Sequence, residues 1–141
     1  MAKQIFINLP VSNLAKSRAF YEALGFKINP KFTNETEAAC IEVSDTIYLM
    51  LLVRPYFQTF TDRGICDTSR ELQVLLATNV DDRPQVDSLM SVALAHGGTE
   101  AGAARDYGFM YQRSFADPDG HVFEVFHMNE AEFPGADAPV S

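Results

Sequence analysis

Tryptophan is absent from the 141-residue chain, and cysteine occurs only twice. Cys40 and Cys66 are too few for a disulfide scaffold and do not stand at zinc-ligand spacing. Both read as reduced thiols, Cys40 in an apolar run that belongs in a core and Cys66 in a polar loop. Positive charge is scarce as well, with 11 Lys and Arg against 19 Asp and Glu, for a net charge of −8. That balance disfavours nucleic acid or an anionic membrane surface as the main partner. The imbalance is steepest from Ser114 onward, where Asp117, Asp119, Glu124, Glu130, Glu132 and Asp137 occur without any Lys or Arg. No apolar run approaches the roughly 18 residues of a membrane-spanning helix. The N-terminus lacks the basic-then-apolar pattern of a secretion signal, so a cytoplasmic location is expected. Neither standard glycine-rich phosphate loop is present, and nucleotide binding is not indicated.

What is present fits a soluble globular chain: 47% hydrophobic and 21% charged residues, enough to build a core within a single domain. Gln4 to Pro10 reads as a strand. Ser12 and Asn13 offer N-caps for a helix from Leu14 to Leu24, with Gly25 as its stop. Strands follow over Phe26 to Phe32, Ala38 to Val43 and Ile47 to Val53, the last a fully apolar run. Arg54 to Arg70 breaks the pattern and is long for a plain connection, so a linker, lid or binding loop is expected there.

The same grammar then restarts. Glu71 to Thr78 reads as a strand, and caps at Asn79 to Asp82 precede a helix with Pro84 in its first turn. The apolar spacing of Val86, Leu89, Met90, Ala93 and Leu94 gives that helix its buried face, and Gly97-Gly98 ends it. Thr99 to Ala104, Phe109 to Ala116 and His121 to Met128 are the remaining strands, with Asp117-Pro118-Asp119-Gly120 as a strong turn. The chain is therefore a duplicated βαβββ unit: module one about 4–53, a connecting loop 54–70, module two about 71–128, and a loose tail 129–141. Residues 1–128 form the single domain. Three strands in a row after each helix favour an α+β class with antiparallel pairing over a doubly wound sheet.

Two phrases carry a family resemblance. Leu9-Pro10-Val11-Ser12-Asn13-Leu14-Ala15-Lys16-Ser17 leads to Phe20-Tyr21-Glu22-Ala23-Leu24-Gly25-Phe26, and Asp117-Pro118-Asp119-Gly120-His121 leads to Val122-Phe123-Glu124-Val125. With the duplicated plan, they resemble the opening and closing of the vicinal oxygen chelate superfamily over roughly residues 4–128. That superfamily includes glyoxalase I, bleomycin-resistance proteins, fosfomycin-resistance enzymes and extradiol dioxygenases. The resemblance implies two βαβββ modules forming an incomplete barrel around a concave site, and a homodimer.

Enzymes of the superfamily hold one divalent metal (Ni, Zn, Mn, Fe or Mg) through His, Glu or Gln on the first and last strands of each unit, and such donors suit hard cations. Carried over residue by residue, the first position falls on Phe6, which has no lone pair to offer. Asn8 shares its strand face and is a candidate hydrogen-bonding group in the pocket. The second position falls on Met50, a poor partner for hard ions. The third falls on Gln73 and the fourth on Glu124, so any metal would rest on Glu124 and Gln73. A stable catalytic site normally needs three protein ligands, and no catalytic metal is expected.

Glu124 then needs another explanation, because a carboxylate is costly to bury unpaired. Arg113 and Gln73 are candidate partners, and Glu124 is the candidate polar anchor or general base for a bound small molecule. Tyr111 and Arg113 share a strand face, so they enter the pocket together or pack on the helix side together. Tyr48, Met50 and Leu52 share another face as an apolar wall. Tyr56, Phe57 and Phe60 would form a lid or bury against a dimer partner. His121 is expected to be exposed or tied to the carboxylates of the turn. His127 is out of phase with Glu124, and His96 ends a helix, where a cation suits the dipole.

The expected function is small-molecule binding of the glyoxalase/bleomycin-resistance type, with Asn8, Met50, Gln73, Tyr111 and Arg113 as substrate-binding candidates. A divalent-metal-dependent lyase or dioxygenase and an antibiotic-sequestering resistance protein are the alternatives.

Overall fold

The computed structural model describes residues 2–136. Two units separate by their internal contacts, one reaching to Leu72 and including Pro118–His121, the other formed by Gln73–Asp117 and the residues from Val122 onward. The class is α+β, with two open sheets of the same topology and neither closed into a barrel.

In the first unit, β1 (Ile5–Val11) runs parallel to β4 (Ile47–Val53), and β3 (Ala38–Glu42) and β2 (Lys27–Asn29) follow antiparallel. Between β1 and β2 lies α1 (Leu14–Ala23). The Asn13 side chain accepts from the Lys16 amide and caps the helix. Gly25 at φ +97° closes it, letting the Phe26 amide reach back to the Tyr21 carbonyl. Leu14, Ser17, Phe20 and Tyr21 are its buried residues. The ladder puts Leu9, Val11, Leu49, Leu51, Ala39 and Ile41 on one sheet face, all buried, and α1 packs against β3 and β4.

The strand expected over Phe26 to Phe32 stops at Asn29, because Pro30 has no N–H to continue the ladder. A 3-10 turn over Pro30–Phe32 replaces it, with the Asn29 side chain accepting from the Lys31 amide. The long connection is not plain loop. It opens with α2 (Arg54–Phe57) and a 3-10 turn over Gln58–Phe60, and the Arg54 guanidinium donates to the Cys66 carbonyl at 3.0 Å.

The Pro118–His121 turn packs within this unit. Asp119 accepts from the Ser12 amide (2.9 Å) and the Ser17 hydroxyl (3.1 Å) beside the start of α1, and Thr68 donates to its carbonyl. Gly120, at φ +94°, lies so close to the chain that a β-carbon there would clash with the Thr68 carbonyl. His121 is buried, with Nε2 2.8 Å from the Pro10 carbonyl oxygen, so its exposed alternative is corrected.

The second unit repeats the plan. β5 (Leu76–Asn79) runs parallel to β9 (Val122–Met128), β8 (Met110–Ala116) pairs antiparallel with β9, and β6 (Thr99–Glu100) and β7 (Arg105–Asp106) pair with β8. The helix α3 (Arg83–Ala95) starts at Asp82, which accepts from the Gln85 amide, and carries Pro84 in its first turn. Val86, Met90 and Ala93 are buried, as are Phe115, Phe123 and Val125 of the sheet, while Leu94 of the expected apolar face is exposed. β5 is shorter than the Glu71 to Thr78 expected: its register runs out at the start of β9 and leaves residues 71–75 without a strand to pair with. A 3-10 turn over Glu130–Glu132 opens the expected tail, whose residues 137–141 lie outside the described residues.

Candidate functional site

The two helix caps give an internal ruler. Asn13 and Asp82 perform the same capping bond, so counting back from each aligns Phe6 with Leu75 and Asn8 with Ala77. Asn8 lies opposite Met50 in the ladder, and Ala77 lies opposite Glu124. Met50 and Glu124 are therefore equivalent positions on the strand paired to the first strand of each unit. Alternation turns both away from the helix of their unit, because the buried residues of β4 and β9 that face the helices are their neighbours.

Around Met50 the face is apolar and aromatic. Asn8 and Cys40 flank it across the ladder, and in the next row the Phe6 ring stacks on Tyr48 at 4.6 Å. Asn8 is exposed, Phe6 is 45% exposed, and Cys40 is fully buried with burial pushing its thiol pKa up.

Around Glu124 the face is polar. Ser114 lies directly opposite on β8, and Gln112, one step along the same face, donates through Nε2 to Glu124 Oε2 at 3.0 Å. Phe126 is half-buried beside them. The Gln112 amide holds one oxygen of the half-buried carboxylate in a fixed orientation. Gln112 was not among the residues singled out from sequence, although its even spacing from Ser114 and its place on an expected strand were visible.

Three expectations change. Arg113 does not pair with Glu124: register puts it opposite Val125, on the helix side, where it donates to Asp87 and Glu100 at 3.0 Å each. Tyr111 shares that face as expected, but its hydroxyl donates to Asp87 at 2.6 Å. Arg83 lies over the Tyr111 ring, 4.7 Å from its centroid, and pairs with Asp106. The Tyr111 hydroxyl and then the Arg113 guanidinium hold the Asp87 carboxyl below the usual carboxylate range, and Asp87 raises both partners in return. Tyr111 and Arg113 thus bind α3 to its sheet and do not share the Glu124 face. Gln73 is exposed and precedes β5, and the aligned position is Leu75, 56% exposed.

Counted from the helix caps, the four positions compared with metal ligands are occupied by Phe6, Met50, Glu124 and, in place of the expected Gln73, Leu75. Only Glu124 offers a donor for a hard divalent ion. Among the described residues no group of three His, Cys, Asp or Glu side chains is placed to hold a metal. The donor set does not fit the metal that enzymes of this fold use. His127 lies on the face opposite to Glu124, with Nδ1 3.3 Å from the Val80 carbonyl oxygen, and His96 caps the end of α3.

Tyr56 and Phe60 meet edge to face at 5.2 Å, and Phe60 remains exposed. A shallow groove of about 250 Å³ runs along α3 between Val80, Gln85, Ser88, Leu89 and Val92. It belongs to the helix side of the second unit and contains no charged group.

Residues 3–44 match the family model described as bleomycin resistance protein-like N-terminal. A glyoxalase-related enzyme from Fulvimarina pelagi is 29% identical, with 100% of this chain and 98% of that chain covered and a TM-score of 0.73. These likenesses support the vicinal oxygen chelate superfamily. A glyoxalase/bleomycin resistance protein/dioxygenase family enzyme from Burkholderia phytofirmans shares the fold at a TM-score of 0.74, with 20% identity over 90% of this chain and 99% of that one. An antibiotic-binding protein from a Streptomyces species does so at a TM-score of 0.60, with 22% identity over 91% and 97%. No curated protein matches the chain. Among the described residues no helix is long and apolar enough to cross a membrane.

Proposed function

We propose that this superfamily member binds a small organic molecule without a catalytic metal, using Glu124 as its polar anchor. The observation that carries the reading is the Gln112–Glu124 pair at 3.0 Å, on a sheet face that also holds the Phe126 ring, with no group of three His, Cys, Asp or Glu side chains placed for a metal among the described residues. A fixed carboxylate beside an apolar surface selects a ligand with a cationic or hydrogen-bond-donating group and a partly apolar body. The net charge of −8 favours the same sign of ligand. The antibiotic-binding Streptomyces neighbour supports small-molecule binding as one use of this fold. A metal-dependent lyase or dioxygenase would require donors that Phe6, Met50 and Leu75 do not provide.

The protein acts as a homodimer in the cytoplasm. Exposed apolar side chains on β1 and ahead of β5 (Ile5, Phe6, Leu72, Val74 and Leu75) support association, and the free thiols of Cys40 and Cys66 support a reducing compartment.

Thermal-shift screening of cationic and donor-bearing small molecules identifies ligands, and Glu124→Gln then tests the anchor. The variant keeps the fold, since an amide still accepts from Gln112, and loses at least about tenfold in affinity, as expected when a charge-assisted bond is replaced. Unchanged affinity would overturn the assignment of Glu124.

A further inference from the structure

The second unit holds one cation that its fold does not use. Arg83 pairs with Asp106, and Arg113 pairs with Asp87 and Glu100, so both arginines serve the helix side. Arg105 is exposed and makes no ion pair or side-chain hydrogen bond among the described residues. Its place is nonetheless fixed by register. Arg105 lies opposite Gln112, while its neighbour Asp106 lies opposite Tyr111 and reaches the helix side. Alternation therefore puts Arg105 on the face of Gln112 and Glu124. One row across this face reads Arg105, Gln112, Phe126 and Asn79, and the next reads Ser114, Glu124 and Ala77.

We infer that this face takes an amphoteric small molecule, whose protonated amine meets Glu124 and whose carboxylate or similar oxyanion meets Arg105. The inference rests on the reading of Glu124 as a polar anchor and adds the second charge. Two strand spacings and one two-residue step separate the α-carbons of Arg105 and Glu124 by about 12 Å. Both side chains are long, so the charged ends of the ligand stand several ångströms apart, with Gln112 and the Phe126 ring beneath its body. The planar guanidinium matches a carboxylate in a two-bond fork, which a lysine ammonium would not.

Three probes with a common ring test the idea: 4-(aminomethyl)benzoate, benzylamine and benzoate. Each is titrated at neutral pH into the isotope-labelled full chain and followed by amide shifts of β8 and β9. 4-(Aminomethyl)benzoate is expected to bind at least about fivefold more tightly than benzylamine, a gain in the range of one exposed charge-assisted pair. Arg105→Met erases that advantage and leaves benzylamine unchanged, whereas Glu124→Gln weakens both amines. An advantage that survives Arg105→Met, or none in the wild type, overturns the role of Arg105 and marks it as a solvated surface arginine. In that case benzylamine binding that depends on Glu124 still supports the anchor. Benzylamine shifts that are absent, or unchanged by Glu124→Gln, overturn the anchor, and the amphoteric ligand class falls with it.

Discussion

Met50 and Glu124 occupy the same rung of two copies of one plan, and they could hardly differ more in chemistry. The first unit surrounds its rung with Asn8, buried Cys40 and the stacked rings of Phe6 and Tyr48. The second gives its rung a carboxylate, a fixed amide partner and an unpaired arginine on the same face. Duplication has kept the backbone ladder while the outward side chains diverged, because ladder bonds do not depend on side-chain identity and ligand recognition does. The helices diverge in the same way. α1 is held by burial of its aromatic residues, Phe20 and Tyr21. α3 is also tied to its sheet by the Asp87 carboxylate. The hairpin turns differ too: Ser44 satisfies its own neighbours, whereas Asp119 and Gly120 reach distant segments of chain.

The turn contrast predicts the largest effect. Gly120→Ala should cost roughly 3 kcal/mol, because a left-handed backbone and a backbone clash are penalised together. Gly25→Ala meets nothing within 4 Å and should cost only about 1 kcal/mol from its positive φ alone. Chemical denaturation of both variants checks the order, and equal costs would break the contrast.

Next in size is Met50→Glu, which copies the second unit's residue into the first. Flanked by buried Cys40 and the Phe6 and Tyr48 rings, with only the exposed Asn8 amide opposite, the new carboxylate should lower stability by about 1 kcal/mol. It should also leave metal affinity unmeasurable, since Phe6 and Leu75 still supply no donor. Denaturation and a zinc titration read the two halves of this expectation.

The smallest effect separates the helices by pH. The Asp87 carboxyl sits below its ordinary value of about 3.9, so its stabilisation is complete above that value and is lost as pH falls through the lower, folded one. Hydrogen exchange of α3 should therefore accelerate on acidification relative to α1. Asp87→Asn should remove the difference at a cost under about 1 kcal/mol at neutral pH, because the group is exposed and screened. Parallel behaviour of the two helices would show that the network does not secure α3.

Much of this plan was legible in the sequence, because caps, stops and apolar runs are local signals. Asn13, Gly25, Asp82 and Asp117-Pro118-Asp119-Gly120 announce their structures within a few residues. The position of Glu124 was legible for the same reason, being close to a strong turn. What was lost depended on partners far along the chain. Gln73 is left unpaired by the end of a parallel register, and nothing in its neighbourhood shows that. Tyr111 and Arg113 were correctly placed on one face, but which face that is depends on Asp87, a residue of the distant α3. Gln112 and Arg105 carry no local signal, because their meaning comes from the strand opposite.

In the proposed function Glu124 is an organic anchor and not one ligand of a metal site. Metal content of the purified protein, measured again after incubation with Ni, Zn, Mn and Fe(II) and gel filtration, tests it most directly. The account predicts well under one metal per chain in every case, with Glu124→Ala indistinguishable from the wild type. About one tightly held metal per chain, lost in Glu124→Ala, would contradict it.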